Sequence, residues 1–140
     1  MKYQILLLIY VLLSSESSYG QIWEKFNLEI AELNEKGNYI QAIDIAEKAV
    51  KQAEVEFGVT NEKYGLSLNN LGFLYHKLHK YDEALKIYNE ALVVYKNTIS
   101  VDNPRYFTTY NNLSGLYVEI GQYDNALILG LEMQEELFKV

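Results

Sequence analysis

One stretch of this chain returns at a fixed interval, and that interval leaves few folds open. Leu68-Asn69-Asn70-Leu71-Gly72-Phe73-Leu74-Tyr75, followed by Lys80-Tyr81-Asp82-Glu83-Ala84-Leu85, comes back 42 residues later as Tyr110-Asn111-Asn112-Leu113-Ser114-Gly115-Leu116-Tyr117 and Gln122-Tyr123-Asp124-Asn125-Ala126-Leu127. Shifted the other way, Asn38-Tyr39-Ile40-Gln41-Ala42-Ile43 falls under the second half of the unit. Tyr39, Tyr81 and Tyr123 are in register, and so are Ala42, Ala84 and Ala126. A period of this size marks a stacked repeat in which each unit buries its apolar face on its neighbour.

The pattern inside each unit is helical. Ile22, Trp23, Phe26, Ile30 and Leu33 recur at three- and four-residue steps, which puts them on one face. Gly37-Asn38 stops that helix. A second runs from near Tyr39 through Ala42, Ile43, Ala46, Ala49, Val50 and Ala53 to Gly58. Thr60-Asn61 supplies the next cap. The central pair is loaded by Leu68, Leu71, Leu74 and Tyr75 on one helix and by Ala84, Leu85, Tyr88, Ala91, Leu92 and Tyr95 on the other, with His79-Lys80 as the turn. Asp102 or Asn103 caps the fifth helix, Pro104 opens it, and Gly121 turns into the sixth. Turns this short predict three antiparallel hairpins, over about 21–58, 61–100 and 103–138. Gly72 and Ser114 are expected to face Ala84 and Ala126 across their own hairpins, small against small.

In order and spacing, Leu68, Leu71, Gly72, Tyr75, Tyr81, Ala84, Tyr88 and Ala91 resemble the tetratricopeptide repeat signature. The standard unit is about 34 residues. The longer unit here, with Leu-Asn-Asn-Leu and Tyr-x-x-Ala-Leu, looks like the kinesin light chain type. HEAT-type repeats have a similar length but lack the small-residue pair. The first unit departs from the pattern at Glu29 and Ile30, the third at Gly130 and Met133. The resemblance implies an all-α, right-handed superhelix of helix hairpins over residues 21–140. Its concave groove, lined by the first helix of each hairpin, would take a protein or peptide segment. Asn70 and Asn112 fall at the family position whose amide commonly grips a ligand backbone. The alternative for both is solvation or a tie between repeats. Asn69, Asn111, Asn27, Phe73, His76 and Lys77 map to the same face, as do Glu35 and Glu119 near its ends. Lys77 is the one strong cation there, which argues against a clamp for a terminal carboxylate.

Charge and composition exclude several other functions. A formal charge of -7 with no Lys/Arg run is not the footprint of a nucleic-acid binder or of a protein held on an anionic membrane. His76-x-x-His79 has too few companions for a metal site, and no phosphate-binding glycine loop, G-x-S-x-G or H-E-x-x-H occurs. No catalytic residue and no cofactor are expected. Residues 1–20 read as a secretory signal peptide: Lys2, a nine-residue apolar run from Ile5 to Leu13, then a small polar tail with Ser18 and Gly20 placed for cleavage before Gln21. That run is too short to span a bilayer as a helix, which needs about 20 residues. With no cysteine, an exported chain must be held by packing alone.

These features together predict an exported, non-enzymatic interaction module, periplasmic or secreted. The last helix runs on with Leu127, Leu131, Leu137 and Phe138 apolar and uncapped. Self-association through that end is therefore an alternative. So is a place at the front of a longer protein, because longer relatives of this kind carry a caspase-like peptidase, a sensor kinase or a regulator.

Overall fold

The computed structural model describes residues 20–99 and 103–138, and they form six helices and no strand. The expected signal peptide, apart from Gly20, and Asp102 as a cap lie outside the described residues. The helices are α1 (Gln21–Glu35), α2 (Tyr39–Phe57), α3 (Glu62–Lys77), α4 (Tyr81–Thr98), α5 (Pro104–Glu119) and α6 (Tyr123–Phe138). They pair as α1/α2, α3/α4 and α5/α6, and each hairpin packs on the next to give an all-α repeat superhelix.

The same short-range chemistry makes each turn. Asn38, Lys80 and Gln122, one repeat apart, each donate their N–H to the carbonyl five residues back, on Leu33, Tyr75 and Tyr117, at 2.8, 3.0 and 2.8 Å. This bond closes a helix end when the residue before it takes a left-handed conformation. Gly37 and Gly121 do so at φ 72° and 75°. His79 does so at φ 57° with a side chain in place, which costs about 1–2 kcal/mol. Between hairpins, Asn61 caps α3 by accepting from the Lys63 N–H at 2.9 Å, and Asn103 caps α5 the same way through Arg105.

The core is packed differently in each hairpin. Gly72 lies against the ring of Tyr88: a Cβ built on Gly72 would lie 2.8 Å from that ring. Gly65 meets Tyr95 at the same distance. Both tyrosines are fully buried, with no hydrogen-bond partner for either hydroxyl, and burial drives both phenols well above their ordinary pKa. What lies nearest each of these two glycines is thus a large ring from the other helix of the hairpin. One repeat earlier the large and small partners trade helices. Ile30 and Trp23 replace the two glycines, and Ala46 and Ala53 replace the two tyrosines, all four buried. In the third hairpin the register equivalents are Ser114 and Gly130, and a Cβ built on Gly130 would meet the Tyr110 hydroxyl at 3.5 Å. Met133 is the one buried side chain of α6.

Candidate functional site

The inner face is made by α1, α3 and α5, and polar pairs stitch it together in a regular way. Glu62 pairs with Arg105, Asn69 with Asn112 and His76 with Glu119, each partner 43 residues on. Successive pairs advance by seven residues, about two helical turns, so α3 and α5 run side by side for their whole length. The Asn70 amide donates to Asn27 Oδ1 at 3.1 Å, which is the α1–α3 version of the bond from Asn112 to Asn69 Oδ1 at 3.2 Å. Asn69 is only 8% exposed and also accepts from the Thr109 hydroxyl at 2.9 Å. Trp23 Nε1 donates to Ser67 Oγ at 2.7 Å in the corresponding seam of the first two hairpins.

Two adjoining depressions lie along the face and share Phe73. The first lies between α1 and α3, lined by Ile30, Ala31, Asn34 and Leu74, with Asn27 and Asn70 at its edge. The second, of about 410 Å³, reaches from Tyr39 across His76 and Lys77 to Asn112 and Glu119. Lys77 Nζ sits 5.1 Å from the Phe73 ring centroid, so the cation stands beside the shared aromatic wall.

The far wall of the second depression is a hydrogen-bonded cluster. Glu119 accepts from His76 Nε2 at 2.7 Å and from the Tyr81 hydroxyl at 2.7 Å. A carboxylate only accepts, so the His76 proton is on Nε2. Tyr81 spends its proton on Glu119, so His79 Nδ1, 2.7 Å away, must donate to the phenol oxygen. Donors from His76 and then Tyr81 hold the Glu119 carboxyl below the usual range. The Glu119 hydrogen bond likewise pushes the Tyr81 phenol up. Among the described residues, no group of three His, Cys, Asp or Glu is arranged to hold a metal ion, and no helix is long and apolar enough to cross a membrane.

The structure therefore brings Asn27, Asn70, Phe73, His76, Lys77 and Asn112 together on one face. It buries Asn69 in the seam between hairpins, where it presents nothing to a ligand, and leaves Asn111 exposed beside the face. The amides of Asn70 and Asn112 are already bonded across the repeats. Tyr39, His79 and Tyr81 were not anticipated. They sit in or beside the hairpin turns, and the left-handed His79 where the other turns have glycine is the sequence signal that marks them.

This geometry agrees with what the chain is similar to. A family model described as tetratricopeptide repeat matches residues 28–97 and 64–132. The chain is a tetratricopeptide repeat protein. Among solved structures, a putative kinesin light chain with nearly identical TPR-like repeats from Podosopora anserina superposes with a TM-score of 0.69 at 17% identity, over 79% of this chain and 52% of that one. BtubC (BKLC) from P. vanneervenii superposes at 0.74 with 22% identity, over 84% and 46%. At these identities the likeness establishes the fold, and this chain spans about half the length of either neighbour. A search of the curated proteins found no match. Tetratricopeptide repeats generally mediate protein–protein interaction, and the fold belongs to a family of non-catalytic scaffolds.

Proposed function

We propose that this chain is an exported interaction module that holds an extended segment of a partner protein along the inner face of α1, α3 and α5. The observation that supports this most is the pair of adjoining depressions that share Phe73, the first lined also by Ile30 and Leu74, with Asn27, Asn70, Asn112, Lys77 and the Glu119 cluster around them. A groove with mixed donors and acceptors suits an extended backbone, with Phe73 and Ile30 left to select apolar side chains. Asn70 and Asn112 would offer a ligand only the hydrogen-bonding capacity that the inter-hairpin bonds leave over. Affinity would then come chiefly from the depressions. Export rests on the layout of residues 1–20, and cleavage after Gly20 would leave α1 intact from its first residue. Mature chain purified from cell envelope would begin at Gln21.

The test places a photo-crosslinker at Ala31 or Val118, both exposed along the inner helices, and at Val55 on α2 as a control. Partner crosslinks from Ala31 and Val118, with those from Val118 lost when Ala31→Arg fills the first depression, support the groove. Crosslinks concentrated at Val55 would place binding elsewhere. The Ala31 substitution leaves the Asn seam untouched, so loss of folding does not confuse the result.

A further inference from the structure

We infer that the groove between α2 and the α3–α4 turn is a second docking site, which takes a partner-protein segment that sets an aliphatic side chain beside a lysine or arginine. The groove, of about 490 Å³, lies across the junction of the first two hairpins and shares no lining residue with the two inner depressions. Ile40 and Ile43 of α2 and Leu78 of the turn give it an apolar lining. Tyr75 ties its two walls together by donating its hydroxyl to Glu47 Oε1 at 3.0 Å. Ile40 is 72% exposed, at a position where α4 and α6 carry Asp82 and Asp124. This exposure does not depend on where the stack begins or ends. Asp82 has a hairpin on either side and is still exposed, as are Lys86 and Asn89, the equivalents of Asp44 and Glu47. A further hairpin at either end would therefore leave the groove open. An exposed apolar surface rimmed by charge marks an interaction site.

Charge selects the occupant. Asp44 and Glu47, one helical turn apart, line the α2 wall, and among the described residues neither forms an ion pair. Lys80 on the opposite wall is turned to the Tyr75 ring, its Nζ 5.6 Å from the centroid. Burial pushes the Tyr75 phenol up, the Glu47 hydrogen bond adds to it, and the charge of Glu83 acts in the same sense, so a third carboxylate stands near this hydroxyl. Three acids against Lys80 leave the junction negative. A lysine or arginine next to an aliphatic residue suits both features, because its stem lies along apolar surface while its head reaches a carboxylate. The junction of the second and third hairpins has Asp82, Lys86, Asn89 and Gln122 at the positions of Ile40, Asp44, Glu47 and Lys80, so neither the exposed aliphatic residue nor the paired acids recur there. A two-fold contact with a second copy of this chain would set these acids against one another, and an anionic bilayer would be repelled.

The test uses the full chain and two short synthetic peptides that share a pair of leucines, flanked in one by lysine and in the other by glutamate. Affinity is read by fluorescence anisotropy and location by hydrogen exchange. Ile40→Asp and Asp44→Lys/Glu47→Asn install what the second hairpin carries at these exposed positions, so circular dichroism should match the parent. The lysine peptide should bind, protect the start of α2 and the end of α3, and lose about tenfold in affinity in each variant. In Ile40→Asp the loss comes although a negative charge is added, which separates a docked aliphatic side chain from charge attraction alone. Ala31→Arg, which fills the inner depression, should leave this binding unchanged. Equal binding of the glutamate peptide, undiminished binding to Ile40→Asp, or loss of binding in Ala31→Arg would overturn the inference. So would a parent dimer abolished by Ile40→Asp, which would assign the groove to a second copy, or preferential binding to phosphatidylglycerol vesicles, which would assign it to a membrane.

Discussion

If the large and small partners of successive hairpins trade sides, the trade should be transferable by mutation. Tyr88→Ala in the second hairpin removes a fully buried ring, a change that costs about 3–5 kcal/mol for an aromatic residue. The Tyr88 hydroxyl has no partner, so its removal returns about 1 kcal/mol and the net cost falls to about 2–4 kcal/mol. Gly72→Ile drives a branched side chain into a ring that already lies 2.8 Å from the ideal Cβ position. Overpacking of that kind costs about 1–3 kcal/mol, offset by about 0.5 kcal/mol of helix propensity. The double variant recreates the Ile30/Ala46 arrangement of the first hairpin, in which the incoming Ile fills the space the ring vacates. Its cost should be about 1–2 kcal/mol, which leaves a favourable coupling on the order of 2–3 kcal/mol. The assay is urea unfolding of the parent, both single variants and the double, with midpoints compared at equal slope. Costs that add to within about 0.5 kcal/mol would refute the reasoning, because residues that share no space do not couple.

Three further outcomes follow from single features. His79→Gly relieves a left-handed side-chain conformation and should stabilise the second hairpin by about 1 kcal/mol despite the lost Tyr81 contact, read as a raised urea midpoint; no change would mean that the turn is unstrained. Burial, with help from Glu90, pushes the Tyr64 phenol up to about 12, and Tyr88 and Tyr95 are raised further. A raised folded pKa gives stability that is fully present below the unfolded value of about 10 and is lost as pH rises through the folded one. Helical signal should therefore collapse above about pH 10 together with ionisation of the buried tyrosines, and tyrosine titration to completion with unchanged circular dichroism would contradict this. Amide exchange should be fastest in α6, whose one buried side chain is Met133, and slowest in α3 and α4; protection of α6 equal to that of α4 would show that its uncovered face costs it nothing.

The architecture was legible because it rests on spacing. A 42-residue period, apolar steps of three and four, and Gly37, Asn61, Asn103, Pro104 and Gly121 at the helix ends all act locally, and each lies where the sequence puts it. Position alone also brought most of the expected inner-face residues together. What the sequence did not show was which side chain fills a shared space. That the Tyr88 ring lies nearest Gly72 could be read only by knowing how far the ring reaches across the hairpin. The Asn residues show the same limit. An exposed-looking Asn-Asn pair reads as two ligand contacts. In three dimensions Asn69 faces the next hairpin and accepts from Thr109 and Asn112, while Asn70 faces the previous one. Adjacent residues on a helix point about 100° apart, so an Asn-Asn pair can bond both neighbours at once.

That division explains why the repeat keeps two amides where one would serve a ligand. Each interior first helix must recognise a neighbour on either side, and the two asparagines do so with the same chemistry facing opposite ways. In the first hairpin the pattern changes. α1 has Leu28 in register with Asn70 but keeps Asn27, the member that faces α3. It also has Glu29 in register with the buried Leu71 and Leu113. A half-buried glutamate at a buried-leucine position makes this part of the first hairpin more polar than its counterparts in the second and third. α6 shows the opposite change, with apolar residues at positions that are polar in α2 and α4. The two ends are therefore not equivalent. The first described hairpin has Leu28 and Glu29 where the later units have Asn and Leu, and the last has Ile128, Leu131 and Phe138 where the earlier units are polar. The seam of paired side chains from Glu62–Arg105 to His76–Glu119 holds the inner face in register between the second and third hairpins.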